Sequence, residues 1–400
     1  MTQPQQHAPA HARNENVDSL RFLAMTAVVA QHCDLVPFGW VGVWLFFVIS
    51  GFVVTSSVLD KPSAAPLGQQ LKGFYLRRIA RIFPAYFVFL GVAALVGVLG
   101  QLFVPTSEWL ALIGFYYNFY SVDHNVWVPA FPTSHLWSIS VEMQFYAVMG
   151  ILLFTLDRTR LAALLVAMAL FSGCARLLGS ALYYTLDINS SIAKIQYYVT
   201  INQMDAFCVG ALLALYRHKL TRRTMERLFL IGVGLLTVYV AFYMGVNAVD
   251  GRRGLAITKS IITGDATGHF REAVVFVPLI VLSAGLVGMA YTGGGRVFDS
   301  VLSWKWVRRA GRTSYSGYLW HFAVIVLVKH VLESATGLSM DARFSSWPNK
   351  LMMMIIVMPI AVAVAELSYR CIEIPGAKLF NRLGAKARNA PVETAKSISI

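Results

Sequence analysis

Apolar runs about twenty residues long, separated by short basic clusters, recur along the chain, and that pattern suits one solvent. A bilayer core about 30 Å thick is crossed by roughly twenty residues of helix. Measured with that ruler, the sequence offers ten spans, at approximately 17–36, 39–59, 83–104, 140–157, 161–180, 203–217, 228–247, 272–291, 314–333 and 351–370. In lipid each backbone amide must bond within its own segment, so spans of this length are helices. The expectation is an all-α protein, a polytopic membrane helical bundle of about ten transmembrane helices. Composition agrees: 57% of the 400 residues are hydrophobic and 14% are charged, whereas a soluble domain carries about 25% charged residues. Ordinary soluble enzymes and disordered chains are thereby excluded. The stretch 108–120 is too short to span and rich in aromatics, so it reads as interfacial or re-entrant.

A formal charge of +14 would point to nucleic acid in a soluble protein. In a membrane protein, excess Lys and Arg mainly set orientation, so no nucleic-acid partner is expected. With the N-terminus inside, the clusters at 61–81, 217–227 and 296–312 all fall on the cytoplasmic side. No Lys or Arg occurs between Phe83 and Asp157, which places the 105–139 loop outside. The outer loop 248–271, with Arg252, Arg253, Lys259 and Arg271, goes against the rule and reads as a docking surface for an anionic partner. Residues 1–16 lack the features of a signal peptide and are expected to form a disordered cytoplasmic tail, followed by one membrane domain over 17–385 and a cytoplasmic tail over 386–400. Cys33, Cys174, Cys208 and Cys371 show no metal-ligand spacing, so no metal site is expected.

An ionisable side chain within a span is costly and is by default a functional candidate. Arg21 and His32 are eleven residues apart, which at 100° per residue brings them within about 20° of one helix face and roughly 16 Å apart along it. Arg21 by itself is commonly a snorkelling anchor, and the shared face is what argues for a joint role. Arg77, Arg78 and Arg81 precede the third span. Arg78 and Arg81, at i and i+3, make a double guanidinium suited to phosphate, although an inner loop is basic for topological reasons too. His135, Ser138 and Glu142 enter the fourth span from outside. The carboxylate there must be paired, bonded or neutral, with His135 as the nearby partner and a neighbouring helix as the structural alternative. Tyr315, Tyr318, Trp320 and His321 begin the ninth span near the inner face, where an aromatic belt accounts for Tyr and Trp but not for His321. Glu366 and Arg370 form an i,i+4 pair and, with Glu373, close the tenth span.

At these same segments the sequence resembles the acyltransferase-3 family of integral membrane proteins. The carrying pieces are LRFLAMTAVVAQH, GVWLFFVISGF, YLRRIARIFPAY, SHLWSISVEMQFY, DAFCVGALLAL, SYSGYLWH and YRCIEIP, in the family's order along nearly all of 17–385. The resemblance implies an O-acyltransferase of bacterial surface glycans or lipopolysaccharide in the inner, cytoplasmic membrane. It marks His32 and Arg21 as an essential pair, Arg78 and Arg81 as essential arginines, and Glu142 as important. Two positions depart from the pattern: Trp44 replaces a common acid, and Met143 replaces a second Glu, which puts any mechanism needing those carboxylates in doubt. The chain is expected to lack the periplasmic hydrolase-like domain fused to some relatives.

What the resemblance implies for mechanism is an acyl-CoA co-substrate, acetyl-CoA being the commonest, with no permanently bound cofactor. Arg78 and Arg81, with Arg77, would hold the coenzyme's phosphates. The pantetheine arm, roughly 15–20 Å long and comparable with the Arg21 to His32 rise, would carry the thioester to His32. His32 then acts as general base on a glycan or glycolipid hydroxyl, or forms an acyl-imidazole. His135, Ser138, Tyr318, Trp320 and His321 are supporting or acceptor-side candidates. The alternative class is a multi-pass transporter or flippase without acyl-transfer chemistry, for which the duplicated halves common in transporters are not visible.

Overall fold

A computed structural model describes residues 10–60, 65–101, 103–124, 133–186, 192–254, 257, 261, 268–337 and 346–380. The expected tail over 386–400, residues 1–9 of the expected N-terminal tail, residues 125–132 of the 105–139 loop and most of the 248–271 loop after Gly254 lie outside the described residues.

The described residues form a helical bundle without strands. Its long helices are α1 (Ala10–His32), α2 (Val41–Leu59) and α3 (Leu67–Leu99). Two short helices follow, α4 (Thr106–Ile113) and α5 (Tyr117–Asp123). Next come α6 (Trp137–Thr155), α7 (Arg158–Leu186), the short α8 (Ile192–Tyr198), α9 (Met204–Leu215) and α10 (Arg222–Val249). The chain continues through α11 (Phe276–Thr292), the short α12 (Arg296–Ser303) and α13 (Lys305–Arg312), then α14 (Ser314–Thr336) and α15 (Trp347–Ser368). Among the described residues, eight helices are long and apolar enough to cross a bilayer. Ile192–Tyr198 with Thr200–Leu215, bent by 64°, makes a ninth if the pair is one span. The expected span at 203–217 is thus the second half of a broken element, and the expected first span falls on α1, which carries too many polar residues to pass on composition.

Several boundaries differ from expectation for physical reasons. The helix expected to begin at 83 begins at Leu67, because no proline between Pro66 and Phe83 breaks it, and the three arginines therefore ride inside α3 rather than on a loop. Helix α1 begins at Ala10, within the stretch expected to be disordered, and Glu15 is tied to Arg308 (2.9 Å) and Arg312 (3.5 Å) of α13. At its other end α1 closes in a Schellman turn: Asp34 takes φ +56°, while its N–H bonds to Gln31 O (2.7 Å) and that of Leu35 to Ala30 O (2.9 Å). Such a turn satisfies the last carbonyls and fixes His32 in the final turn. The 108–120 stretch resolves into α4 and α5, hinged at Phe115 with φ +54°.

The centre of the bundle is the contact between α2 and α9. Cβ atoms added at Gly51 and Gly210 would strike the carbonyls of Phe207 and Val48 respectively, so two glycines let the backbones touch, as small residues do between membrane helices. Around this axis α1, α3, α6, α11, α14 and α15 close the core, whereas α7 and α10 turn broad apolar faces outward.

Candidate functional site

One cavity, with an empty volume of about 720 Å³ including its open mouth, lies where α1, α2, α3, α6 and α14 meet. Its charged lining among the described residues is Arg21, Arg78, Arg81 and Glu142, three guanidiniums against one carboxylate, between apolar walls such as Phe46, Phe47 and Ile139. A polyanion with an apolar arm fits that pattern, because arginine forks bind phosphate bidentately and a low-dielectric wall strengthens the attraction.

Each arginine is held by its own neighbours. Arg21 is ion-paired with Asp18, one turn back on α1. The Arg78 guanidinium lies over the rings of Phe74 (5.5 Å) and Tyr146 (5.6 Å) and donates to Ser57 Oγ at 3.0 Å. Arg81 stands 3.4 Å from the buried carboxylate of Glu373, which also accepts from Ser316 Oγ. Glu373 belongs to a π-helical turn, Tyr369–Glu373, a geometry that often marks functional positions. Arg77 is exposed and outside the cavity lining, so the structure separates it from its two companions.

Glu142 accepts from Ser50 Oγ at 2.5 Å and from Tyr146 OH. Its expected pairing with His135 is not formed. The His135 ring instead donates from Nε2 to Leu319 O at 3.0 Å, joining the entrance of α6 to α14. Ser138 and Tyr318 close the cavity: their hydroxyls bond at 2.6 Å, and Tyr318 OH also donates to His135 O at 3.1 Å.

Beyond that pair lie three imidazoles. The rings of His32 and His321 are centred 5.2 Å apart, and those of His135 and His321 4.9 Å apart. The expectation that His321 sits near one membrane face and His32 near the other is therefore corrected. Arg21 is level with Ser314 and Tyr315 in the cavity, so two further turns of α14 carry His321 up to the end of α1. His32 is part-buried, outside the cavity lining, and flanked edge-on by Phe322 at 5.1 Å. Arg21 and His32 both turn toward α14, on either side of Tyr318. Trp320 points elsewhere, packing on Phe89 (5.1 Å) and donating to Ser368 Oγ (3.2 Å).

Sequence reasoning did not assign Ser50, Tyr146 or the Glu373 carboxylate to the site. Glu373 carried a signal, an acid in the apolar string CIEIP, but its partner is remote in the chain. Trp44, the departure from the family's acid, is wholly buried, stacked on Phe276 at 4.9 Å and edge-on to Trp40 at 5.2 Å. It belongs to an aromatic core outside the cavity lining. Glu366 forms the expected pair with Arg370 and a second with Arg309. No group of residues able to hold a metal is found among the described residues.

Comparison with known proteins agrees with this architecture. The acyltransferase 3 family model, described as an acyltransferase domain, matches residues 14–366. The chain is 25% identical over 377 residues to the peptidoglycan O-acetyltransferase OatA of Listeria monocytogenes, covering 90% of this chain and 55% of that protein. It is 28% identical over 389 residues to BcsY of Komagataeibacter xylinus, named as a candidate membrane-bound transacylase, covering 94% and 86%. A protein of Staphylococcus aureus named as a candidate O-acetyltransferase is 25% identical over 388 residues, covering 93% and 58%. The chain thus spans little more than half of the Listeria and Staphylococcus relatives. No solved structure matches it. With its family model covering nearly the whole bundle, cavity residues included, the chain belongs to the acyltransferase 3 family.

Proposed function

We propose that this protein is a membrane O-acyltransferase that takes an acyl group, acetyl in the first instance, from a cytoplasmic acyl-CoA and passes it to a hydroxyl of a glycan or glycolipid at the outer face. The observation that carries the reading is the placement of the arginine cavity directly beneath the histidine cluster, with the Tyr318–Ser138 pair as the partition. Lipopolysaccharide and peptidoglycan are both acceptors of the right chemistry. Both chain ends and the basic clusters lie on the cytoplasmic side of the inner membrane in this reading.

Arg78 and Arg81 hold the donor's phosphates at the cavity mouth, Arg21 adds a third cation deeper in, and the apolar walls take the pantetheine arm. His32 accepts the hydroxyl proton as the acceptor oxygen attacks the thioester carbon. The oxygen–carbon bond forms, the carbon–sulfur bond breaks, and the departing sulfur takes the proton back from the imidazolium. The last turn of α1 favours that transient cation, because its carbonyl end carries partial negative charge. Glu142, committed to Ser50 and Tyr146, shapes the cavity rather than the base.

The test is transfer of labelled acetyl from acetyl-CoA to membrane glycans, with membranes that contain or lack the chain. Label in the glycan fraction only when the chain is present supports the reading. Movement of an unmodified lipid or solute without acyl transfer would reassign the protein as a flippase or transporter.

A further inference from the structure

Histidine bases in enzymes are commonly oriented by a third group that fixes which ring nitrogen carries the proton. The carboxylate of the cavity lining, Glu142, is engaged by Ser50 and Tyr146, and His135 is engaged by Leu319 O. The ring beside His32 is that of His321, fully buried and centred 5.2 Å away.

The tautomer of His321 follows from its partner. Its Nδ1 lies 2.5 Å from Tyr318 O, and a carbonyl oxygen only accepts, so Nδ1 carries the proton and Nε2 presents a lone pair. That Nε2 is buried with no hydrogen-bond partner. By the same argument His135, donating from Nε2, presents an unpartnered lone pair at Nδ1. Two neighbouring acceptors cannot satisfy each other, so a donor must come from a third group. The ring within reach that can donate is that of His32, centred 5.2 Å from His321 and joined to it by ring contact but not yet by a hydrogen bond. The separation allows the bond once a ring turns end-on: nitrogens about 3 Å apart, each about 1 Å from its ring centre, put two end-on imidazoles about 5 Å between centres.

We propose that His321 is the positioning residue of the base: Nε2 of His321 accepts the N–H of His32, which leaves the other nitrogen of His32 as the lone pair that meets the acceptor hydroxyl. This rests on the reading of His32 as the base. Glutamine and asparagine separate the role from a purely structural one. The amide of Asn overlays the Nδ1 side and can still donate to Tyr318 O. The amide of Gln reaches the Nε2 side and can accept from His32.

The experiment measures acetyl transfer by the full chain in membranes for His321→Gln, His321→Asn and His32→Ala, with inserted protein quantified for each. The expected result is a kcat for His321→Gln at least ten times that of His321→Asn, with the donor KM of both within about two-fold of the parent. Any result in which Gln does not exceed Asn, or in which the difference lies in KM, overturns the proposal. The His32→Ala control keeps the two layers apart: transfer retained there removes the base assignment itself, whereas transfer abolished there with Asn equal to Gln removes only the role of His321.

Discussion

Arg81 of α3 and Glu373 of the π-turn after α15 face each other at 3.4 Å, the arginine 40% exposed on its side chain and the carboxylate 3%. The asymmetry matters for mutagenesis. Truncating the arginine strands a buried acid, whereas neutralising the acid frees a cation that water can reach. Arg81→Ala should therefore destabilise the protein by about 1–3 kcal/mol, the cost of an unsatisfied buried group, and Arg81→Ala with Glu373→Gln should recover the stability but not the activity. Thermal unfolding in detergent alongside acetyl transfer checks both halves. Activity restored in the double variant would make Arg81 a structural partner only.

His32→Ala should lower acetyl transfer by roughly 10²- to 10⁴-fold, the usual contribution of a positioned general base, with the amount of inserted protein unchanged. Transfer rates normalised to protein in washed membranes provide the measurement. A variant within a few-fold of the parent would remove His32 from the chemistry.

Arg78 is gripped by two rings and one hydroxyl, so its planar fork and not its charge alone sets its use. Arg78→Lys keeps the charge and loses the fork and the stacking. It should weaken coenzyme A binding by roughly 10-fold or more, since a hydrogen bond to a charged group contributes about 1.5–3 kcal/mol. Titration calorimetry with the purified protein gives the comparison, and an unchanged Kd would return Arg78 to the role of a topology anchor.

The glycine contact between α2 and α9 makes a prediction free of catalysis. Gly210→Val drives a side chain into the Val48 carbonyl and should cost about 1–3 kcal/mol by overpacking. The melting temperature in detergent should fall together with the yield. Normal stability would mean that the two backbones do not lie as close as described.

The helices were largely legible, because twenty apolar residues in a row leave the backbone no other way to satisfy its amides. Ionisable residues inside those runs pointed to Arg21 and Glu142, the i,i+3 guanidiniums ahead of the third run pointed to Arg78 and Arg81, and the cavity collects all four. Depth was not legible. Counting turns from the start of the ninth span put His321 near one face, but rise is measured from a helix's own end, and only the packing of α1 on α13 and α14 says which turns are level. Partners from remote segments were hidden for the same reason. The Glu366–Arg370 pair could be read along one helix, while Arg81–Glu373, Ser50–Glu142 and His135–Leu319 exist only once helices meet. Trp44 shows a third limit: the sequence marked a missing acid, and the structure fills that place with a sealed cluster of rings.

The hydroxyl pair of Tyr318 and Ser138 has a consequence for the cell as a whole. The described cavity stops at that pair, short of the three imidazoles, so it offers ions no water column past them through which an electrochemical gradient could be short-circuited. In the proposed reaction the acyl group is handed over at that pair and does not drift down an open channel.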